Sequence, residues 1–382
     1  MKIFYVANAR MPTEKAHGIQ IAKMCEAFIQ HGTDLTLVVP GRDTVDLDVQ
    51  TAYGLKVPVP VQKISVPNIY EWGKLGFGIG TFCFMVGCAL FFWQKKVKKE
   101  QFLIYTVDMD NVSNALLPLF APTVTEMHTP KPANAAQTFF FPRAAGVIAT
   151  NELIKEALRT MFYLDERRLL VEPNGVDAAV FAPQQKTAAR AALGLPQEQR
   201  MALYVGRFYK WKGLEILPDA SQMPAGKGLE WYVVGGTSED FKKVSNTKEL
   251  PPNVHIIDSQ PASAVAKWIA AADAVVVLGT KQNEDSYKFT SPMKVFEYMA
   301  ADRPVVASRT PALASVLSER HVFFYDPDDA FSLAVVTAEA ITNIPQIDAR
   351  VSAAHELVQL HTWDERAKRI LAFIARAVTL TS

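Results

Sequence analysis

Short runs of consecutive apolar residues recur along the chain, with longer stretches between them in which apolar positions return every three or four residues. The runs are Ile3–Ala7, Leu35–Val39, Phe102–Tyr105 and Val147–Ala149, then Met201–Val205, Tyr232–Val234, Ala274–Leu278 and Val305–Ala307. Strand-like runs alternating with helical stretches predict βαβ units and parallel sheets. Ile19, Ala22, Cys25, Phe28 and Ile29 share one face of a helix that His31-Gly32 ends, and Pro292 to Ala301 reads as a helix with proline in its first turn. Trp363 to Val378 carries Ala367, Ile370, Leu371 and Ile374 at helical spacing, so it predicts an amphipathic helix that must dock.

The two series of strands flank a turn-rich segment, Glu172-Pro173-Asn174-Gly175-Val176-Asp177, followed by Pro183. The chain has 382 residues, and at roughly 100–200 residues per domain that length favours two domains and a cleft between them. The expected division is a Rossmann-like domain over 1–178, a second over 179–362, and a C-terminal helix over 363–382 that packs back towards the first.

Composition narrows the class. Hydrophobic residues make up 49 %, enough for two buried cores, and Lys plus Arg number 40 against 39 for Asp plus Glu. A net charge of +1 gives no global electrostatic argument for nucleic acid as a partner. Three cysteines, Cys25, Cys83 and Cys88, form no CxxC pair and no zinc-finger spacing, so a reducing compartment and no structural metal are expected. Met1 to Val6 reads as a first strand and not as a signal peptide, which predicts a cytoplasmic protein.

One segment breaks the α/β pattern. Leu75 to Trp93 contains nineteen uncharged residues and is followed by Lys95, Lys96, Lys98 and Lys99. About 20 apolar residues can span a bilayer, but a span here would split a sheet whose strands lie on both sides of it in sequence. Two readings remain: a buried helix covering the N-terminal sheet, or a helix that also makes peripheral contact with an anionic membrane through Leu75 to Lys99. The lysines fit either, since cations also suit a helix C-terminus.

Candidate chemistry lies mainly in the second half. Val205-Gly206-Arg207 ends a strand and leads to Lys212-Gly213, giving two cations where α/β ligands bind. A guanidinium grips phosphate oxygens in bidentate fashion and an ammonium adds a point charge. Further on, Ser291-Pro292-Met293-Lys294 opens a helix whose free amides make an anion site. Glu297 lies one turn from Lys294, placed either to accept hydrogen bonds from ribose hydroxyls or to form an ion pair within the helix.

Taken in order, these motifs resemble the retaining glycosyltransferases of family four, and the resemblance runs along nearly the whole chain. It rests on Pro173-Asn174-Gly175-Val176-Asp177, Gly206-Arg207 with Lys212-Gly213, Val234-Gly235-Gly236, Thr290-Ser291-Pro292 through Phe296-Glu297-Tyr298-Met299-Ala300, and Pro304-Val305-Val306-Ala307-Ser308. The resemblance implies the GT-B fold, two Rossmann-like domains facing each other across a cleft, the first for the acceptor and the second for a nucleotide-sugar donor, UDP- or GDP-linked. It implies diphosphate contacts from Arg207 and Lys212, ribose contact from Glu297, and donor contacts from Gly235, Ser291, Met293 and Lys294. In the first domain Gly18, within Ala16-His17-Gly18-Ile19, matches the family's glycine-bearing loop, where a missing side chain lets backbone approach the diphosphate. His128 matches a histidine that approaches the transferred sugar, so the implied catalytic set is His128, Arg207 and Lys212.

The chain also departs from the family. Phe289 stands where many members have the first of two glutamates eight positions apart, and Tyr105-Thr106-Val107-Asp108 and Glu126-Met127-His128-Thr129 differ from the Tyr-Thr-Arg-Asp and Glu-Val-His-Asp of its nearest branch. Asp108-Met109-Asp110 invites a metal reading, but in this fold cations and helix amides meet the diphosphate charge, so no metal or other cofactor is expected. The function these readings predict is transfer of a hexose with retention from a nucleoside diphosphate sugar to a glycan or lipid-linked acceptor hydroxyl, as in polysaccharide biosynthesis. A GT-B epimerase or phosphorylase, or an idle membrane-associated nucleotide-sugar binder, are the alternatives.

Overall fold

The structure is a computed structural model that describes residues 2–42, 48–291 and 293–379. The chain divides into two compact units, Met1–Pro173 with Trp363–Ser382, and Asn174–Thr362. The division falls within the turn-rich segment, between Pro173 and Asn174. The reason is local: Val176 bridges to Thr362, and its amide donates to the His361 carbonyl at 3.0 Å, which ties this segment into the second unit.

In the first unit a seven-stranded sheet runs in the order β3 (Val61–Ser65), β2 (Asp34–Gly41), β1 (Lys2–Val6), β4 (Leu103–Val107), β5 (Thr123–Met127), β6 (Gly146–Ala149) and β7 (Leu169–Val171). All neighbouring pairs are parallel. The strand order reverses between β1 and β4, which opens a crevice at their carboxyl ends. One face of the sheet is covered by the Gly73–Val97 helix, whose Phe84, Cys88 and Phe92 enter a core with Phe4, Val6, Val38 and Ile104. Against the other face lie the Ala16–Gln30 and Trp363–Thr379 helices, which pack on each other. Gly32, at φ +76°, sits in the left-handed region just past the first of these helices and ends it.

The second unit repeats the plan with six parallel strands in the order β10 (Val254–Ile257), β9 (Glu230–Val234), β8 (Met201–Val205), β11 (Ala274–Val277), β12 (Val305–Ser308) and β13 (Phe323–Tyr325). Its reversal lies between β8 and β11. Two apolar clusters cover the two faces, one including Leu203, Val275, Phe296 and Val358, the other Tyr204, Trp231, Val276 and Leu333. Buried on both sides, the central strands had to be continuous apolar runs.

Candidate nucleotide-sugar site

In the second unit the chain leaves β8 as Gly206-Arg207 and turns through a short 3-10 segment, Lys210–Lys212, to Gly213 at φ +77°. The turn brings Lys212 back over the strand end: a Cβ placed on Gly206 would lie 3.2 Å from Lys212 Nζ. Burial, followed by the charges of Lys294 and Arg207, pushes the Lys212 ammonium down to about 8. Three cations therefore converge at the carboxyl end of β8 and repel one another, an arrangement that an anion would relieve.

The helix supplying Lys294 is fixed to the same strand end. Within Met293–Ala300, the Tyr298 hydroxyl accepts from the Val205 amide at 3.0 Å, just before Gly206-Arg207. Glu297 is buried and accepts from Lys294 Nζ at 2.5 Å, so the ion-pair reading of this spacing is realised. Ser291 is held from the other side, its carbonyl accepting from Asn174 Nδ2 at 2.8 Å and its hydroxyl from the Asn174 amide at 3.4 Å. Met293 opens the helix, half-buried; Pro292, read from sequence as its first-turn residue, lies outside the described residues. A five-residue π-helix, Asp285–Phe289, leads into this segment, a local form frequent at functional sites.

Gly235 has a steric reason. Its φ is +147°, and a Cβ there would lie 2.1 Å from the Gly206 carbonyl oxygen. The ends of β8 and β9 thus close together only because Gly235 has no side chain. Arg207, Lys212, Gly235, Ser291, Met293, Lys294 and Glu297 all belong to this unit. Sequence reasoning missed Tyr298 and Asn174 as the residues that position them, though both lie inside motifs it quoted.

In the first unit, Gly18 and His128 occupy a second cluster. Gly18 is buried inside the Ala16–Gln30 helix, where a Cβ would lie 2.3 Å from the Tyr53 hydroxyl and 2.6 Å from Thr13 Cγ2. Its missing side chain makes room for these neighbours. Gln20, on the next part of this helix, donates to Glu126 at 2.8 Å, and His128 Nε2 meets the same carboxylate oxygen at 2.8 Å.

Glu126 is the centre of this cluster. It also accepts from the Tyr105 hydroxyl at 2.5 Å and from Arg366 at 2.8 and 3.2 Å, with both charged side chains fully buried. Burial alone would raise its carboxyl; the Arg366 charge and the His128 hydrogen bond outweigh that and hold it well below the usual carboxylate range. For His128, burial favours the neutral ring, but the bond to Glu126 and the charges of Glu126 and Asp108 raise its pKa. His128 is thereby held towards its protonated form. Arg366 also donates to the Pro173 carbonyl at 2.7 Å, and Arg369 grips Glu172 with two bonds of 2.7 and 2.8 Å, so the Trp363–Thr379 helix is tied to the sheet by charge as well as packing.

Asp108 and Asp110 are engaged by protein donors: Lys131 and Thr129 at Asp108, Asn8, Ser113 and the Val112 amide at Asp110. Among the described residues no group of three or more His, Cys, Asp or Glu could hold a metal ion.

Residues 199–343, which contain β8 to β13 and the cation cluster, match the glycosyl transferases group 1 family. Across both units the chain superposes on sucrose-phosphate synthase from Thermosynechococcus elongatus with a TM-score of 0.78, at 19 % identity and covering all of both chains. It superposes likewise on Anabaena Alr3699/HepE in complex with UDP and glucose, with a TM-score of 0.68, 19 % identity and full coverage of both. The two parallel-sheet units are therefore those of the GT-B fold. A D-inositol 3-phosphate glycosyltransferase from Nocardioides sp. is 27 % identical over 276 residues, 66 % of this chain and 59 % of the relative. The chain thus spans less than two thirds of that relative's length.

Proposed function

We propose that this protein moves a hexose from a nucleoside diphosphate sugar to an acceptor hydroxyl, with retention and without a metal ion. The observation that carries the reading is the convergence of Arg207, Lys212 and Lys294 at the end of β8, with the Lys212 ammonium pushed down to about 8 by burial and then by the charges of Lys294 and Arg207. A diphosphate leaving group is a counter-charge to these cations. In the reaction the bond from C1 to the diphosphate oxygen breaks and a bond from C1 to the acceptor oxygen forms on the same face. The acceptor proton passes to the departing phosphate oxygen. Arg207 and Lys212 stabilise charge developing on the diphosphate, while Lys294 holds the Glu297 carboxylate towards the ribose. His128, whose pKa the bond to Glu126 raises against the effect of burial, is the first unit's candidate for contact with the transferred sugar. The structurally similar Anabaena protein bound to UDP and glucose supports a uridine diphosphate hexose as donor, and a glycan or lipid-linked compound fits as acceptor.

The test is turnover of UDP- and GDP-hexoses with Arg207→Ala and Lys212→Ala, each expected to lower kcat by at least about tenfold, roughly 1.4 kcal/mol of barrier. Near wild-type rates in both would remove the site assignment. The anomeric configuration of the product, read by NMR, decides retention. Activity that survives EDTA is expected, and abolition with rescue by manganese would overturn the metal-free route.

A further inference from the structure

The Gly73–Val97 helix is apolar on two sides, and the fold uses only one. Its inner stripe, Gly80, Phe84, Cys88 and Phe92, is buried on the seven-stranded sheet. Its outer stripe is Leu75, Ile79, Phe82, Val86, Leu90, Trp93 and Val97, spaced by three or four residues along the whole helix. Leu75 is 67 % exposed, Phe82 58 %, Leu90 56 % and Trp93 55 %. No charged residue interrupts the helix between Lys74 and Lys95. Exposed Val112 and Leu119 extend the apolar surface beside it, and Phe77 and Phe82 form one wall of a recess of about 310 Å³ opposite Met109–Val112. A contiguous apolar surface of this kind marks a partner or a membrane.

The ends of the helix favour the membrane. Exposed Trp72 and Trp93 lie near its two ends, and Lys96, Lys98 and Lys99 are exposed at its C-terminal end, with Lys74 at the other. Lys95 and Lys96 also serve the fold: Lys95 Nζ pairs with Glu100 at 3.1 Å and lies over the Phe4 ring, and Lys96 Nζ donates to the Leu119 carbonyl at 2.7 Å, so Lys98 and Lys99 are the lysines to test. Tryptophans at the ends of an apolar stripe, with lysines beyond, are the arrangement of a helix lying in a bilayer interface with anionic headgroups. The buried inner stripe keeps the helix on the sheet and so argues against spanning.

We infer that the outer face of the Gly73–Val97 helix seats this protein on the surface of an anionic lipid bilayer. The inference stands apart from the sugar-transfer reading, because vesicle binding needs no donor. The experiment is cosedimentation of the full chain with phosphatidylcholine vesicles, with and without phosphatidylglycerol. Binding to the anionic vesicles is expected to exceed that to neutral ones by at least about tenfold and to weaken with salt. Phe82→Asp with Leu90→Asp should lower it by at least about tenfold while circular dichroism and the UDP-induced thermal shift stay unchanged. Lys98→Glu with Lys99→Glu should lower the preference for anionic vesicles. No cosedimentation, equal binding to both vesicle types, or a wild-type dimer in light scattering that Phe82→Asp with Leu90→Asp makes monomeric would each overturn it.

Discussion

Lys212 is the residue whose ionisation reports most directly on the site. Its folded pKa of about 8 lies below the ordinary lysine value because burial and then the charges of Lys294 and Arg207 disfavour the ammonium. A bound diphosphate reverses the last two effects and raises the value again. The sign follows: below about 8 the ammonium is already present and affinity for UDP is flat, whereas above it each binding event must take up a proton. The Kd for UDP should therefore rise with pH above about 8, by up to tenfold per unit, and titration calorimetry in buffers of differing ionisation enthalpy should detect the proton. Lys212→Arg should flatten the profile, since guanidinium does not titrate there. A pH-independent Kd in the native protein would mean that Lys212 does not face the diphosphate. Gly235 tests the backbone of the same site. The Cβ of Gly235→Ala would meet the Gly206 carbonyl, so the variant should lose more than about 1 kcal/mol of stability, measured by denaturant unfolding, and UDP affinity should fall with it.

Among elements, the most exposed to failure is the Trp363–Thr379 helix, because it delivers a buried cation to a buried anion. Removing either Glu126 or Arg366 leaves its partner charged in a dry interior, a loss of about 3–5 kcal/mol. Glu126→Ala and Arg366→Ala should each lower the unfolding midpoint sharply, and the double variant should cost less than the sum of the two. Additive losses would show that the pair is not coupled. The same element shows where the sequence was legible. Its spacing announced an amphipathic helix that must dock, but its partner lies 240 positions away and nothing local points from Arg366 to Glu126. Strands divide similarly. The eight apolar runs are β1, β2, β4, β6, β8, β9, β11 and β12; of the five strands left out of that reading, β3, β7, β10 and β13 are the four sheet edges, and β5 lies inside the first sheet, where buried Thr123, Thr125 and Glu126 interrupt any apolar run. An edge strand pairs on one side only. Val61-Gln62-Lys63-Ile64-Ser65 buries just Ile64, and Leu169–Val171 buries none of its side chains fully, so neither reads as a continuous apolar run. In the second unit the candidate residues announced themselves by chemical type, whereas Tyr298 and Asn174 act through contacts with Val205 and Ser291, 93 and 117 positions away.

At the scale of the whole molecule, the chain builds the first unit from two separate pieces and the second from one. Asn174–Thr362 is continuous, and its two ends are joined by the Val176 to Thr362 bridge and the Val176 amide bond to His361. The clusters on the two faces of its sheet draw on residues between Val176 and Val358 alone. A unit with a complete core and adjacent ends can be excised without leaving buried apolar surface open. The fragment 174–362 should therefore unfold cooperatively and, since it holds Arg207, Lys212, Lys294 and Glu297, should be stabilised by UDP through mass action. The complementary cut should fail: ending the chain at Thr362 removes Arg366 from Glu126 and Arg369 from Glu172, and uncovers the buried apolar positions that Ile370, Phe373 and Ile374 protect. Scanning calorimetry of both proteins decides the matter. A fragment 174–362 without a cooperative transition, or a 1–362 chain as stable as the full one, would contradict this account of how the chain is assembled.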